Sequence, residues 1–349
     1  MFVKFFAVFY CILLGLQSFK SDLFEKDLRL KNVKKTENIS INNFMSKIKI
    51  NSNLTVNYND PGETDGQSSF KLPNNVIPTK YELFITTRID KGISEFSGNV
   101  KIHVKVLKPS ETITLHSIGC EISEISLTIP KNNKTFTSLV YYFDNLKDFL
   151  IVNLPYKADK NENLLIKITY TGTLRNDSFG FHRLNYIDSN NKTIWIAATL
   201  FGATYARQAF PCFDEPWIRS NFKLEIQHNE GYHAISNMPV ISRTTVNQSS
   251  DVITSFMESP PMQTYLLAFV VSDFKYIETN NTEVPQRIYA RSSAIDLGQG
   301  DFVAKKLDAI LKYYEDFFEV RFTLPKLDHV VLPGYSTSKK HLKIKINQN

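Results

Sequence analysis

At 349 residues and 40.1 kDa, with 42% hydrophobic and 13% aromatic residues, the chain carries ample apolar material for a packed core, which excludes a disordered or collagen-like protein. The formal net charge of +6, from 41 basic and 35 acidic residues, is spread along the chain without a long single-sign block. No nucleic-acid surface is read from it, and Lys339, Lys340, Lys343 and Lys345 read as a solvated tail.

The first residues, MFVKFFAVFYCILLGLQS, set Lys4 ahead of an apolar run from Phe5 to Leu16 and then turn polar, the pattern of a secretory signal over residues 1–20. The run falls short of the about 20 apolar residues that span a bilayer, and neither a later stretch nor a lipid-anchor tail replaces it. Membrane association is therefore expected only through an uncleaved signal or a missing C-terminal part. Seven N-x-S/T sequons, at Asn38, Asn53, Asn133, Asn176, Asn191, Asn247 and Asn280, fit a secretory route and a glycosylated, extracellular product. Cys11 leaves with the signal. Cys120 and Cys212 remain, and spacing leaves open whether they pair.

Residues 21–71 are rich in Asn, Ser, Lys and Asp and lack apolar periodicity, as in a linker or stalk. At Leu72 the texture changes. "GNVKIHVKV" alternates Val100, Ile102, Val104 and Val106 with polar residues, the period of a half-buried strand. "ETITLHS", "EISLTIP", "FLIVNL", "NLLIKITYTGTL", "KTIWIAATL", "NFKLEIQH" and "DVITSFME" follow, separated by Asn, Asp, Gly or Pro clusters. The expectation is a mainly β, antiparallel domain from 72 to about 285. A helix is then expected, capped by Asp301, with Phe302, Leu307, Ile310, Leu311, Tyr314, Phe317 and Phe318 along one apolar face.

Chemical motifs are sparse. No H-E-x-x-H, G-x-S-x-G or phosphate loop occurs in the sequence. "HNEGYH", His228 to His233, has two histidines and Glu230, but its five-residue spacing and Gly231 suit a loop rather than a metal site. "GQGDF", Gly298 to Phe302, reads as the start of a helix. "RQAFPCFDEPW", Arg207 to Trp217, crowds Pro211, Cys212, Asp214, Glu215 and Pro216 together. A nucleophilic Cys212 would need a nearby base, whereas the two carboxylates would raise its pKa. The stretch is instead expected to form a rigid turn, with Asp214 and Glu215 accepting hydrogen bonds from N–H groups or Arg207.

"ARQAFPCFDEPWIRSNFKLEI", "HAISNMPV", "SPPMQTYLLAFVVSDF" and "RIYARSSAIDLGQGDFVAKKLDAILKYYEDFFEVRFTLPKLDHVVLP" stand in the order in which similar segments occur in the aminopeptidase N family of zinc metallopeptidases. The resemblance runs from Leu72 to about Ser336. It implies a saddle-shaped β domain over 72–285, the truncated start of a thermolysin-like catalytic domain over 286–336, and a divergent tail over 337–349. The family releases N-terminal residues from peptides with zinc as cofactor. This chain ends before the family's Gly-Ala-Met-Glu-Asn and H-E-x-x-H segments, so no catalytic residue and no metal ligand are assigned to it. The family's Gln-x-Glu, whose glutamate grips the substrate amine, aligns with Leu200 and Gly202, which supply no carboxylate.

Two readings result: part of a secreted peptidase, inactive by itself, or a non-catalytic secreted module that binds peptides or proteins. Seven apolar helix residues left uncovered, at about 2 kcal/mol each, would forfeit on the order of 10 kcal/mol, which favours the first.

Overall fold

The structure, a computed structural model, describes residues 70–279 and 282–334, and these lie in one compact unit. The expected signal, the expected linker as far as residue 69, the expected tail over 337–349, and the sequons at Asn38, Asn53 and Asn280 lie outside the described residues. In chain order the strands are β1 (Val76–Thr87), β2 (Glu95–Val106), β3 (Ser110–His116), β4 (Glu121–Ile129), β5 (Lys134–Phe136), β6 (Tyr141–Asp144), β7 (Phe149–Ala158), β8 (Asn163–Thr173), β9 (Gly180–Ile187) and β10 (Thr193–Leu200). They continue with β11 (Arg219–Asn229), β12 (His233–Ser236), β13 (Val240–Thr245), β14 (Asp251–Phe256), β15 (Met262–Gln263), β16 (Phe269–Ser272), β17 (Lys275–Glu278), β18 (Gln286–Ala290) and, after the helices, β19 (Leu327–Val330). The protein is mainly β.

The largest sheet runs β13-β14-β11-β1-β2-β8-β4-β5, with β15 beside β11. Smaller sheets run β12-β16-β10-β9, β3-β7-β6 and β17-β18-β19. Alternation dictates the core: Val100, Ile102, Val104 and Val106 of β2 are fully buried, as are Leu164, Ile166, Ile168 and Tyr170 on neighbouring β8. Each side chain removed from water contributes about 1.5–3 kcal/mol. Ile113, Leu115, Leu150 and Val152 of β3 and β7 belong to the same apolar cluster.

Two cross-strand pairs join β2 to β8 through glycine. Gly98 faces Tyr170, and Gly172 faces Phe96. A Cβ on Gly98 would lie 2.3 Å from the Tyr170 ring, so the missing side chain is what lets the ring lie across the sheet.

The expectation of an antiparallel domain over 72–285 meets one exception. β1 pairs with β11 in parallel, Lys80 against Asn221 through Thr86 against Gln227; beyond that range β18 also pairs with β19 in parallel. Alternation encodes which face of a strand is buried and is blind to the direction of its partner.

After a short α1 (Ser292–Asp296), the helix expected from Asp301 is broken into α2 (Asp301–Ala304) and α3 (Leu307–Phe318). Asp301 is the first residue of α2 rather than its cap, a position held by Gly300 without a side-chain hydrogen bond. Phe302 and Leu307 are five residues apart and would sit about 140° apart on a continuous helix. Leu307 and Leu311 lie one turn apart within α3 and are buried, whereas Phe302, before the break at Lys305 and Lys306, is exposed. Glu315, the next residue on that stripe, is buried and accepts from the Phe322 N–H at 2.7 Å and from Arg321 at 3.2 Å. The apolar face is thus partly packed within the chain, while Phe317 stays exposed.

Candidate functional site

The stretch from Leu200 to Trp217 begins where β10 ends. Leu200 is half-buried, Phe201 is buried, and residues 202–204 reach solvent before a short 3-10 turn at Ala206–Gln208 turns the chain inward. Pro211, Cys212, Phe213 and Asp214 are then buried in succession, Glu215 is half-buried, and Pro216 and Trp217 emerge.

Each group of this turn grips a different part of the sheet. Cys212 and His116 exchange backbone hydrogen bonds of 2.8 and 3.0 Å, which attaches the turn to the end of β3. The Phe213 N–H donates to the Tyr81 hydroxyl of β1 at 3.0 Å, and Thr264 Oγ1 donates to the Phe213 carbonyl at 3.0 Å. Tyr81 is held by stacking on Phe222 of β11, with ring centroids 4.7 Å apart. The Asp214 N–H donates to His116 Nδ1 at 3.3 Å, so that ring atom is the acceptor and the imidazole is neutral. Burial, and then the Arg207 charge, lower the His116 pKa to about 3.

The ionic centre is Arg207 with Asp214. Arg207 Nε and its backbone N–H both donate to Asp214 Oδ2, at 3.1 and 3.3 Å, and Arg207 Nη2 donates to the Asp214 carbonyl at 3.3 Å. Arg207 Nη1 reaches Asp148 Oδ2 at 3.2 Å, just before β7. Burial raises the Asp214 pKa, and the guanidinium opposes that rise. Glu215 Oε1 accepts from the Leu72 N–H at 2.9 Å, fastening the start of the described chain.

Cys212 is fully buried, and its thiol is pushed well up, first by burial and then by the Asp214 charge. Burial pushes Cys120 up to about 12. Both are free thiols rather than a disulfide. No base faces Cys212, and its strongly raised pKa withholds the thiolate that nucleophilic chemistry needs. The arrangement immobilises five separate segments and presents no reacting group.

At the solvent-facing end the space is open. A Cβ on Gly202 would meet only the Tyr265 ring, at 4.0 Å, so packing does not demand glycine there. His228 is buried on β11 with its nitrogens 2.8 Å from Thr254 Oγ1 and 2.8 Å from the Asn229 carbonyl, while His233 is exposed on β12. Burial lowers His228 to about 4. Among the described residues no group of three His, Cys, Asp or Glu side chains is placed to hold a metal ion. His116, Tyr81 and Asp148 were not singled out from the sequence; they lie far from the turn along the chain, and nothing local marks them.

Comparison with family profiles matches residues 77–266 to the Peptidase M1 N-terminal domain. The chain belongs to this family, the amino-terminal portion of the M1 zinc metallopeptidases. It is 31% identical over 270 residues to the thyrotropin-releasing hormone-degrading ectoenzyme of Homo sapiens, covering 77% of this chain and 25% of that protein. It is 31% identical over 288 residues to aminopeptidase N of Rattus norvegicus, covering 78% and 29%. With endoplasmic reticulum aminopeptidase 1 of Homo sapiens it shares 29% identity over 291 residues, covering 79% and 30%. The chain thus spans between a quarter and a third of the length of these curated relatives.

Proposed function

We propose that this chain is the N-terminal portion of a secreted, aminopeptidase N-like zinc metallopeptidase whose parent reaction releases N-terminal amino acids from peptides, and that the chain by itself is catalytically silent. The observation that carries the reading is the family match over 77–266. Residues 72–285 act as the β domain that walls a peptide site, and 286–336 as the opening of the catalytic domain. The locked Arg207–Asp214 turn supports a scaffolding role, because it holds the loop from Leu200 to Tyr205 at the edge of that site without offering a nucleophile.

Leu200 and Gly202 place no carboxylate near a substrate ammonium, so the β domain contributes little to amine binding. Zinc belongs to the complete members of the family, and this chain binds none. The signal over 1–20 directs secretion, and the outer face of the plasma membrane is the alternative destination for a longer parent. No described helix is long and apolar enough to cross a membrane. The partners are peptides, and no nucleic acid is involved. The sequons at Asn133, Asn176, Asn191 and Asn247 are exposed in turns and bends between strands, where a glycan meets no packing obstacle.

The test is purified full-length chain incubated with zinc and leucine aminocoumarin. No fluorophore release is expected, and zinc-dependent release would overturn the silent reading. A second reading, a non-catalytic peptide- or protein-binding module, is favoured by α3, which buries Leu307 and Leu311 inside the chain as an independent fold requires.

A further inference from the structure

Natural sheets blunt their free edges with charge, a bulge or a covering segment. Several edges of this fold do so. β13 is bulged between Val240 and Ser242 and carries Arg243, β5 is three residues long and begins with Lys134, and β17 carries Lys275 and Glu278. β3 is closed by the bridge from His116 to Cys212. β6, the outer strand of β3-β7-β6, lacks such a device. Tyr141, Tyr142 and Phe143 run without a charge, a proline or a shift of register against β7, and no described strand lies on their other side.

One bond fixes the direction of the free groups. The Asn153 N–H donates to the Val140 carbonyl at 2.9 Å, and β6 pairs with β7 from Tyr141 against Val152 to Asp144 against Phe149. Backbone groups alternate along an antiparallel strand. Val140, Tyr142 and Asp144 therefore face β7, while Tyr141 and Phe143 turn their N–H and carbonyl groups to the open edge. Around that edge Val140, Tyr142, Phe143 and Leu146 are 69, 52, 39 and 88% exposed. So much exposed apolar surface in one short stretch marks an interaction surface.

The edge is complementary to itself. Turned about a two-fold axis at Tyr142, a second β6 sets Tyr141 opposite Phe143 and Phe143 opposite Tyr141, and each pair exchanges two N–H to carbonyl bonds. Tyr142 then meets its own copy in the close, non-hydrogen-bonded position, where aromatic cross-strand pairs are favourable. Asp144 falls opposite Val140, and Lys147 neutralises it at 3.5 Å. A chain of net charge +6 thus meets its copy here with no like charges directly opposed. The sequons at Asn133, Asn176, Asn191, Asn247 and Asn280 adjoin strands of the other sheets, so no attached glycan is rooted on this one.

We propose that two copies of this chain associate through β6, in antiparallel register about Tyr142, joining their β3-β7-β6 sheets edge to edge. The area sets the strength. The exposed parts of Val140, Tyr142, Phe143 and Leu146 come to roughly 500 Å² per copy, or about 1,000 Å² in total, the low end for a specific contact, so the dimer is weak and reversible. It uses no catalytic group and is independent of the proposed peptidase reaction.

Sedimentation equilibrium of the full chain, from about 1 to about 300 µM, tests this. The weight-average mass is expected to climb from monomer and level at dimer, with half association at about 10–100 µM. Tyr142→Lys, at an exposed position, sets two ammonium groups opposite each other and should weaken association by about tenfold or more. Ile241→Lys, on the exposed β13 edge, should leave it unchanged. Register is read separately with Tyr142→Cys and oxidised glutathione, which also keeps the test valid if Tyr142→Lys does not fold. Residues opposed in this position have Cα atoms about 4.5 Å apart, within disulfide range, so a disulfide-linked dimer should appear on a non-reducing gel. Val140→Cys, about 13 Å from its copy in this register, should not cross-link. A chain that stays monomeric throughout, a mass that grows past dimer, equal weakening by Ile241→Lys, or equal cross-linking of Val140→Cys overturns the proposal.

Discussion

Arg207→Ala strands the Asp214 carboxylate in the interior. In the native chain the Arg207 and Asp214 side chains are 10% and 3% exposed, and the guanidinium also spans to Asp148 and the Asp214 carbonyl. Removing one partner of such a pair costs about 3–5 kcal/mol, because the other charge stays buried. At about 2–4 °C per kcal/mol for a unit of this size, the melting temperature should fall by roughly 6–20 °C. The loss also depends on pH with a defined sign. Asp214 already has a folded pKa raised above its unfolded value, so its contribution is best when protonated and worsens as pH rises through the folded pKa. Without Arg207 that pKa rises further, so the penalty should be largest near pH 7 and shrink toward pH 4. Urea unfolding followed by tryptophan fluorescence at both pH values measures this, and comparing variant with native at each pH cancels the other titrations. The double replacement Arg207→Met with Asp214→Leu should recover most of the stability. A loss below about 0.5 kcal/mol in Arg207→Ala, or an equal loss at the two pH values, would refute the reasoning.

Gly98→Ala should cost about 1–3 kcal/mol, because its Cβ would lie 2.3 Å from the Tyr170 ring; an unshifted urea midpoint would contradict the packing described. Gly202→Glu should leave the unfolding free energy within about 0.5 kcal/mol of the native value, since only Tyr265 approaches that Cβ; a loss above about 1 kcal/mol would show that the loop has no room. His116, His228 and His329 have folded pKa values lowered by burial to about 3, 4 and 4, so their stabilisation is complete above the unfolded pKa and is lost as pH falls through the folded values. Stability should therefore drop from about pH 6.5 downward, by up to about 1.4 kcal/mol per pH unit for each histidine, and a flat urea midpoint between pH 7 and 4.5 would argue against buried neutral rings. Chain expressed through a eukaryotic secretory pathway should lose mass on glycosidase treatment at Asn133, Asn176, Asn191 and Asn247, and unmodified secreted product would count against the glycoprotein reading.

The strands were legible because β2, β8 and β11 write their burial as a strict period of two, and the buried rows Val100 to Val106 and Leu164 to Tyr170 follow it residue by residue. Partner choice was not legible: the parallel join of β1 to β11 depends on which edges remain free after the other strands pair. In the helical stretch the face was read as continuous, but the phase between Phe302 and Leu307 is wrong for one helix, and the chain breaks to correct it. At the turn, Asp214, Glu215 and Arg207 stood close enough in sequence to be read as partners. His116 and Tyr81 could not be found that way, since a single histidine or tyrosine on an alternating strand carries no local mark of the loop it meets.

The parallel join has a consequence for synthesis. β1 acquires β2 as soon as the first hairpin is made, but its other edge waits for β11, with Lys80 meeting Asn221 about 140 residues later. At about 5–20 residues per second, roughly 7–30 s of translation separate the two. Through that interval a twelve-residue strand with an unfilled row of amide and carbonyl groups is held on the nascent chain, with Tyr81, Leu83 and Ile85 not yet sealed by the β11 side of the sheet. Chaperone capture must therefore outlast the first two thirds of the β domain, and the domain closes only when β11 is delivered.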